Sequence, residues 1–380
     1  MVTRLATFNA ALNRPIAGAL KQALTSDILD PQIIAVALVI RFTRPDILLL
    51  NEFDYDETEV SVAAFCANYL ENPDLPDSHL APPIHYPHRF SAPVNTGVAS
   101  GRDFDKDGIA SDVGADALGF GDFPGQYGML VLSNSPILTQ AFRSFQHFLW
   151  ADMPNAKLPQ KSQAQGGGDW FDQADLAVLP LSSKSHWDLP IQLEDRVLHL
   201  LCSHPTPPVF DGEERRNACR NHDEIRFWQD YIDGQGYMYD DAGIRGGLIQ
   251  GAEFAILGDL NASLKEGDAF HSALANLLGD LNIKHEQLPT SLGALKHTPK
   301  RAWSRWHTAS WRLCADYVLY PRLEANTFVV QDQAVFWPTQ SHSLNVYVEK
   351  ASDHRLVYLD LLSTSGAANN ASPQRLDKRS

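Results

Sequence analysis

Predominantly apolar runs of strand length recur along the chain, and polar side chains stand directly at their ends. Buried strands are typically apolar runs of about four to eight residues. The runs and their polar neighbours are 5–8 with Asn9, 47–50 with Asn51 and Glu52, 197–202 with His204, 255–257 with Asp259 and Asn261, and 356–360 preceded by Asp353 and His354. Side chains at strand ends are held by a rigid sheet, so this pattern predicts one polar site at a sheet rim.

The order of the N-terminal elements predicts a layered fold. Residues 3–8 predict a strand, 17–29 and 33–42 predict helices, and 46–50 predict a buried strand. Further strands are predicted at 128–132, 176–182, 189–193 and 196–202, and a helix at 213–232. Strands that alternate with helices favour layers in which the sheet lies inside.

Two long segments interrupt this pattern, near 71–127 and 153–175. They are rich in Pro, Gly, Asp and Asn and lack periodicity, which is typical of surface insertions. A length of 380 residues permits more than one domain. The polar strand-end residues are spread from Asn9 to His354, however, so we expect a single domain over residues 1–362. The small, polar composition after that point predicts a disordered tail over 363–380.

Composition and charge exclude only some classes of protein and function. A hydrophobic content of 44% allows a large core, and no apolar run reaches the length of a transmembrane helix. The formal charge of −15 repels nucleic acid in general. It does not exclude a nuclease, because a divalent cation among carboxylates reverses the local charge.

The four cysteines, Cys66, Cys202, Cys219 and Cys314, have no spacing typical of metal ligands. Cys202 and Cys219 could pair in an oxidising compartment. Buried free thiols are the more common arrangement. The N-terminal residues lack the basic and apolar regions of a signal peptide, so they do not indicate a compartment.

Three strand-end oxygens are candidates for binding a cation or a water molecule. Asp259 and Asn261 are two positions apart, so both could reach one ion or one attacking water; alternatively they form only a turn. Glu52 ends an apolar run, where a carboxylate is costly unless it is paired, solvated or bound to metal. Magnesium uses one or two such carboxylates. The alternative for Glu52 is a carboxylate that stabilises a helix N-terminus.

Two histidines are candidates for proton transfer. His354 follows Asp353, and a carboxylate partner would fix its tautomer and raise its pKa. Asp316 is the candidate partner, although an ordinary salt bridge at a strand start would also explain it. His204 is the second imidazole.

Two further groups are candidates for binding. Asp103, Asp105 and Asp107 form the first half of an EF-hand-like loop, but Gly114 at the twelfth position excludes a complete EF-hand. The loop is either a calcium site completed by other oxygens, such as Asp112 or Asp116, or a solvated acidic turn. In addition, a short polar segment between predicted strands could bind a phosphate, through Lys184 and His186.

Taken in order, these motifs resemble those of the endonuclease/exonuclease/phosphatase superfamily, whose members include DNase I-like nucleases, neutral sphingomyelinases and inositol-polyphosphate phosphatases. The matching segments are Thr7-Phe8-Asn9, Leu50-Asn51-Glu52, Gly128-Met129-Leu130-Val131-Leu132-Ser133, His204, Gly258-Asp259-Leu260-Asn261, Asp316-Tyr317 and Ser352-Asp353-His354. No single motif decides the matter, but the ordered set is specific.

The resemblance implies a DNase I-like α/β fold, a four-layer α/β sandwich of two mixed β-sheets packed face to face with helices outside. It also implies that Glu52 is the principal ligand of Mg²⁺ or Mn²⁺, with Asn9 and Asp353 near the ion. Calcium in the 103–116 loop is a separate expectation from the aspartate spacing.

The same resemblance implies catalytic roles. Asp259 and Asn261 would orient the attacking water and the phosphate. His354, paired with Asp316, would stabilise the developing charge or protonate the leaving oxygen. His204 would contact the phosphate from the opposite side.

The expected function is therefore a metal-dependent phosphoesterase that hydrolyses phosphate mono- or diesters by in-line attack of water. A DNase-like endonuclease and a non-catalytic, metal-stabilised binding protein are the alternatives. The partner would be a phosphoester, whether a small molecule, a lipid head group or nucleic acid, and the protein is expected to be a monomer. Segments 125–128, 183–188 and 221–224 resemble a bacterial subgroup that is often exported, which favours a periplasmic or secreted protein whose leader is absent from this chain.

Overall fold

The computed structural model describes residues 2–194, 196–323 and 327–364. Within these ranges the chain forms eleven β-strands and eight α-helices. The strands are β1 (Val2–Leu12), β2 (Ile47–Phe53), β3 (His88–Phe90), β4 (Met129–Ser133), β5 (Arg143–Ser144), β6 (His186–Leu193), β7 (Arg196–Ser203), β8 (Glu253–Asp259), β9 (Asp316–Leu319), β10 (Phe328–Val335) and β11 (Val357–Ser363). The helices are α1 (Ala19–Thr25), α2 (Pro31–Thr43), α3 (Val60–Ala64), α4 (Gln173–Leu176), α5 (Arg216–Ile232), α6 (His271–Asp280), α7 (Leu292–His297) and α8 (Asn345–Ala351).

The strands form two mixed sheets. The first has six strands in the order β10-β11-β1-β2-β4-β3, and the second has five in the order β5-β6-β7-β8-β9. Each contains one parallel pair, β1 with β2 and β7 with β8, while its other neighbours are antiparallel. Parallel neighbours need a crossover connection, and here the crossovers carry α1 and α2 in one sheet and α5 in the other. Helices therefore cover one face of each sheet.

Alternating side chains separate the layers. In β2, Leu49 packs between the two sheets, whereas Leu50 packs on the helical side. In β8, Leu257 packs between the sheets and Ile256 packs against the helices. Because successive strand residues point to opposite faces, a continuous apolar run is buried on both sides. The expected four-layer sandwich with helices outside is confirmed.

Strand register brings the polar strand ends to one rim. Asn9 in β1 lies opposite Asn51 in β2, and Asp259 in β8 lies opposite Asp316 in β9. In the parallel pair β7 and β8, Cys202 aligns with Leu257, so the residues that follow each strand leave the sheet side by side. The carboxyl ends of four strands and the start of β9 thus meet at a single edge.

The sequence-based elements were wrong in one place. Within residues 176–182, expected to be a strand, Leu176 is the last residue of α4, and 177–182 are irregular chain with one isolated bridge at Pro180 before β6 begins. Leu179 and Leu181 are nevertheless buried, in the helical layer. An apolar run shows burial but does not reveal whether a neighbouring strand is present to pair with it.

Three further expectations from the sequence can be compared with the structure. The four cysteines are buried free thiols, so the alternative disulfide between Cys202 and Cys219 is not formed. Among the described residues, no helix has both the length and the apolar character needed to cross a bilayer. Most of the expected tail, residues 365–380, lies outside the described residues.

Gly258 provides a test of how closely β7 and β8 approach at the rim. A Cβ added there would lie 2.0 Å from the Ser203 carbonyl oxygen. We expect Gly258→Ala to lower the free energy of unfolding by about 3 kcal/mol, because the strands must separate. Gly279→Ala, in α6 with no atom within 4 Å of the added Cβ, should be neutral or slightly stabilising. Urea denaturation measures both, and equal effects would contradict the close approach.

Candidate active site

One carboxylate oxygen lies at the centre of the polar cluster. Asp259 is buried, and its Oδ2 accepts a hydrogen bond from Asn9 Nδ2 at 3.0 Å. The same oxygen lies 3.5 Å from His204 Nε2 and 3.7 Å from His354 Nε2. Burial raises the pKa of Asp259, but the His354 charge, the His204 contact and the Asn9 bond outweigh it and hold that pKa well below its ordinary value. Asp259 is therefore ionised at neutral pH.

Asn51 in β2 forms hydrogen bonds that link β8, the strand that carries Asp259, to the opposite sheet. Its buried side-chain oxygen accepts hydrogen bonds from the Asp259 backbone N–H at 3.2 Å and from the Thr7 hydroxyl at 3.3 Å. Its amide nitrogen donates to the Ser203 carbonyl at 3.4 Å. Asn51 belongs to the matching motif, but sequence reasoning gave it no role in the site. An amide at the end of a fully apolar run was the available signal.

Glu52 converges on the same amide as Asp259. Asn9 Nδ2 donates to Glu52 Oε1 at 2.9 Å as well as to Asp259. Glu52 has a φ of 61°, a left-handed conformation that is uncommon for a residue with a side chain. Strained backbone of this kind is often found where a functional group must be aimed. The structure thus brings together three of the oxygen-bearing side chains singled out from the sequence.

Asp353 lies apart from this group. Its side chain is exposed, and Oδ1 lies 3.5 Å from the Ser352 hydroxyl. Within the described chain its carboxylate forms no hydrogen bond with Asn9 or Glu52. It is Ser352 that donates to the Asn9 carbonyl, at 2.8 Å, and accepts from the His354 backbone N–H. The expected place of Asp353 beside an ion stays a prediction.

His354 is held by a second carboxylate. Its Nδ1 lies 2.9 Å from Asp316 Oδ2, and the Thr308 hydroxyl donates to that oxygen at 2.6 Å. Burial lowers the pKa of His354, but the charges of Asp316 and Asp259 outweigh it and raise this pKa to about 10. Burial and repulsion from Asp259 raise the pKa of Asp316. His354 is therefore an imidazolium at neutral pH.

His204 is in the opposite protonation state. Burial, together with the nearby charge of Lys184, lowers its pKa despite the contact with Asp259. Asn261 follows in the turn after β8, where its amide donates to the Pro205 carbonyl at 3.1 Å and fixes the segment that carries His204. Asp259 thus lies between a neutral and a charged imidazole.

Lys184 places an unpaired cation beside these carboxylates. It is buried, and its ammonium forms no ion pair or hydrogen bond with any described residue. Burial lowers the pKa of Lys184 overall, and the nearby charges of Glu224, Glu52 and Asp259 oppose this effect only in part. A buried cation without a partner is costly, which indicates a site suited to an anion.

Glu224 on α5 positions the two segments that carry Lys184 and His204. Sequence reasoning missed this residue. Its two carboxylate oxygens accept the backbone N–H groups of Ser183 at 2.8 Å and Thr206 at 2.6 Å. These residues adjoin Lys184 and His204 in the chain. A buried Glu within an amphipathic helix has no distinct sequence signal.

His186 lies in the core rather than on the cavity wall that carries Lys184, and its expected contact with a phosphate stays a prediction. Its Nδ1 lies 3.1 Å from the Ser182 hydroxyl and its Nε2 lies 2.8 Å from the Glu224 carbonyl oxygen. The ring packs against Phe227 and Trp228, and burial lowers its pKa to about 4. Both nitrogens are occupied, so His186 is a neutral core residue.

A cavity of about 520 Å³ opens beside the cluster. Glu52, Lys184 and His204 lie on its wall. Most other lining side chains are apolar, and several come from the two long insertions. The cavity is within the usual range for small-molecule sites.

Comparison with known proteins identifies the family. A model of the endonuclease/exonuclease/phosphatase family matches residues 6–354. The chain belongs to this family. Its enzymes hydrolyse phosphoester bonds and typically depend on a divalent metal, and the family includes phosphoesterases, nucleases and sphingomyelinases.

Solved structures are similar to this chain at low sequence identity. An endonuclease/exonuclease/phosphatase from Beutenbergia cavernae is 14% identical with a TM-score of 0.51, covering 95% of this chain and 72% of that chain. The human Nocturnin catalytic domain with bound sulfate is 13% identical with a TM-score of 0.48, covering 96% and 95%. An AP endonuclease from Archaeoglobus fulgidus is 11% identical with a TM-score of 0.42, covering 95% and 99%. No curated protein matched the sequence.

The donor set fits the divalent metal typical of this family. Asp259, Asp316 and His354 offer ligand atoms within 4.8 Å of one another. His354 Nδ1 and Asp316 Oδ2, however, already face each other at 2.9 Å. The other side of Asp259 is better suited, because there an amide N–H₂ group stands between the carboxylates of Glu52 and Asp259, as a cation would. Oxygen ligands of this kind suit Mg²⁺ or Mn²⁺.

The aspartate loop of this family member forms a second acidic cluster. Oxygens of Asp103, Asp105 and Asp107 lie within 4.8 Å of one another, and each residue accepts a backbone N–H from within the loop. Asp116 does not join them; it accepts the Phe104 N–H at 2.6 Å and organises the loop backbone. Calcium binding in this loop stays a prediction.

The pairing of His354 with Asp316 can be tested by titrating the His354 imidazole. Since the folded-state pKa is raised above the ordinary 6.5, the stabilisation from this pair should be complete below about pH 6.5 and lost as the pH rises through about 10. We expect Asp316→Asn to lower the pKa of His354, measured by NMR of the ring and assigned with His354→Gln. Asp332→Asn, an exposed change on β10, should leave it unaltered. An unchanged titration in Asp316→Asn would contradict the pairing.

Proposed function

We propose that this protein is a divalent-metal-dependent phosphoesterase that hydrolyses phosphate mono- or diesters by in-line attack of water. The observation that carries the proposal is the convergence of Asn9, Glu52 and Asp259 beside two imidazoles of opposite protonation. In-line displacement at phosphorus requires charge neutralisation, a positioned water and a proton donor for the leaving group. Each requirement has a candidate group here.

The oxygen-rich side of the cluster would hold the metal ion, through Glu52 with Asn9 and Asp259. A bound Mg²⁺ or Mn²⁺ would supply charge neutralisation at the phosphoryl oxygens. Asp259, ionised and fixed by its strand, accepts a hydrogen bond from water and orients it. Asn261 adds an amide in the same turn.

The cationic side of the cluster would bind the phosphoryl group. Lys184 offers an amino group that has no partner among the described residues, and His204 lies on the same cavity wall. His354 carries a proton at neutral pH and can stabilise developing negative charge or protonate the leaving oxygen. Asp316 keeps that proton on the ring. In the overall step a P–O bond to water forms, the P–O bond to the leaving group breaks, and the leaving oxygen receives a proton.

A nuclease is less well supported. The formal charge of −15 opposes the approach of a polyanion. A cavity lined mainly by carbon also suits a smaller ester. Nicking of supercoiled plasmid with Mg²⁺ or Mn²⁺ would favour the nuclease, whereas metal binding without turnover of any phosphoester would favour a binding protein.

Glu52 provides the main test of the proposal. We expect Glu52→Gln to reduce metal-dependent hydrolysis of a p-nitrophenyl phosphodiester by at least about 100-fold, because a metal ligand loses its charge. Glu57→Gln makes the same change at an exposed position and should retain activity. Thermal unfolding checks that both variants fold. Full activity of a folded Glu52→Gln protein would overturn the proposal.

Lys184 should affect activity and stability in opposite directions. Replacing it with Met removes a buried, unpaired charge, so the free energy of unfolding should rise. Hydrolysis should fall by about 100-fold, since the phosphoryl group loses a positive contact. Lys296→Met, on the exposed side of α7, is the matched control. A variant that is less stable yet fully active would show that Lys184 is structural.

A further inference from the structure

The cavity beside the cluster has walls that the proposed hydrolysis does not itself require. Phe104, Ala117 and Phe120 come from the first insertion, and Phe171 comes from the second. Trp150 lies just before the second insertion and completes the wall. Glu52, Lys184 and His204 line the same cavity, together with the polar side chains of Arg216, Asn217 and Arg220, while most of the remaining lining is apolar.

The aromatic walls present their apolar surfaces to the cavity. The Phe171 ring packs edge-to-face with Phe104, with centroids 5.7 Å apart, and lies 6.2 Å from Trp150. The Trp150 ring nitrogen donates to Asp223 on α5 at 2.8 Å, so its polar group is already satisfied. Water next to these aromatic side chains would find few hydrogen-bond partners.

Ion pairs hold the two insertions together, so the cavity is preformed. Buried Asp175, in the second insertion, accepts hydrogen bonds from Arg102 at 2.8 Å and Lys106 at 2.6 Å, both in the first insertion. Arg220 on α5 donates to the Leu118 carbonyl at 2.7 Å and anchors the first insertion to the helical layer. A pocket fixed in this way loses little conformational entropy when a ligand enters.

Two phenylalanines on the cavity wall also face water. Phe120 is 63% exposed and Phe210 is 94% exposed. Phe210 has a φ of 60°, a conformation that is strained for a bulky residue. Strain and exposure of an apolar ring are both unfavourable in the free protein, which indicates that the ring serves a ligand.

We infer that the substrate is a phosphoester bearing a long alkyl chain, and that this chain fills the cavity. The inference rests on the proposed function and extends it to a substrate class. The alkyl chain would extend from a phosphoryl group held by Lys184 and His204, and its far end would leave the cavity beside Phe210. A single aromatic ring would leave most of the 520 Å³ empty, and a nucleoside would bring polar groups to a mainly carbon surface.

The test uses p-nitrophenyl phosphodiesters whose second ester group is methyl, butyl, octyl or dodecyl, each below its critical micelle concentration. With Mg²⁺ or Mn²⁺ present, kcat/KM should rise about three- to fourfold per methylene until the cavity is filled, which corresponds to about 0.8 kcal/mol for each group buried. The gain should appear mainly in KM, because the chain is far from the reacting bond.

Two variants test where the alkyl chain of the substrate binds. Ala115 lines the cavity, so Ala115→Trp would occupy part of it, and the ratio of kcat/KM for the octyl and methyl esters should fall several-fold. Phe210→Ser should lower that ratio several-fold. Ile28→Ser, at an 84% exposed position outside the cavity lining, is the matched control and should preserve the ratio.

The outcomes separate this inference from the proposed function. Hydrolysis of the methyl ester with no dependence on chain length, or an octyl preference that is undiminished in Ala115→Trp, would overturn the alkyl-chain inference and leave the phosphoesterase intact. A preference for plasmid DNA over the octyl ester would also overturn it. Absence of turnover for every ester would overturn the proposed function itself.

Discussion

The site depends on one carboxylate oxygen that receives nitrogen groups from three distant parts of the chain. Asp259 Oδ2 meets Asn9 from the first strand, His204 from the second sheet and His354 from the segment before the last strand. These contacts form only when the two sheets close in the correct register, because a slip of one residue turns every strand-end side chain to the other face. Asn51, which bonds across the sheets, secures that register. Folding and the assembly of the reacting groups are therefore one event.

Around this oxygen the electrostatics divide into two sides. Asn9 and Glu52 form an oxygen-rich side that suits a cation, whereas Lys184 and the paired His354 form a side that suits an anion. The ionised carboxylate of Asp259 lies between them and contacts Asn9 on one side and His354 on the other. Low exposure strengthens each interaction, because the effective dielectric is lower than in water. A phosphoester with a bound metal is the kind of ligand that satisfies both sides together.

The sequence predicted most of what alternation and strand ends can encode. Leu48 and Leu49 are apolar on both faces, which identifies an inner strand, and the residues after such strands proved to converge. The sequence could not reveal the role of Glu224, because its carboxylate accepts backbone N–H groups from loop residues that are distant in the chain, Ser183 and Thr206. The sequence also did not show which way His186 points, since a histidine at the start of a strand can face either the core or the rim. Residues 176–182 misled for a similar reason, as burial alone does not specify pairing.

The ion pairs of Asp175 have a consequence for how such a chain could diversify. This carboxylate is fully buried, and its two cationic partners belong to another segment. Loss of the first segment alone would leave the Asp175 charge buried without a partner, at a cost of several kcal/mol by usual magnitudes, whereas Arg102 and Lys106 are partly exposed and could be solvated without Asp175. A chain that keeps the second segment is therefore expected to keep the first as well.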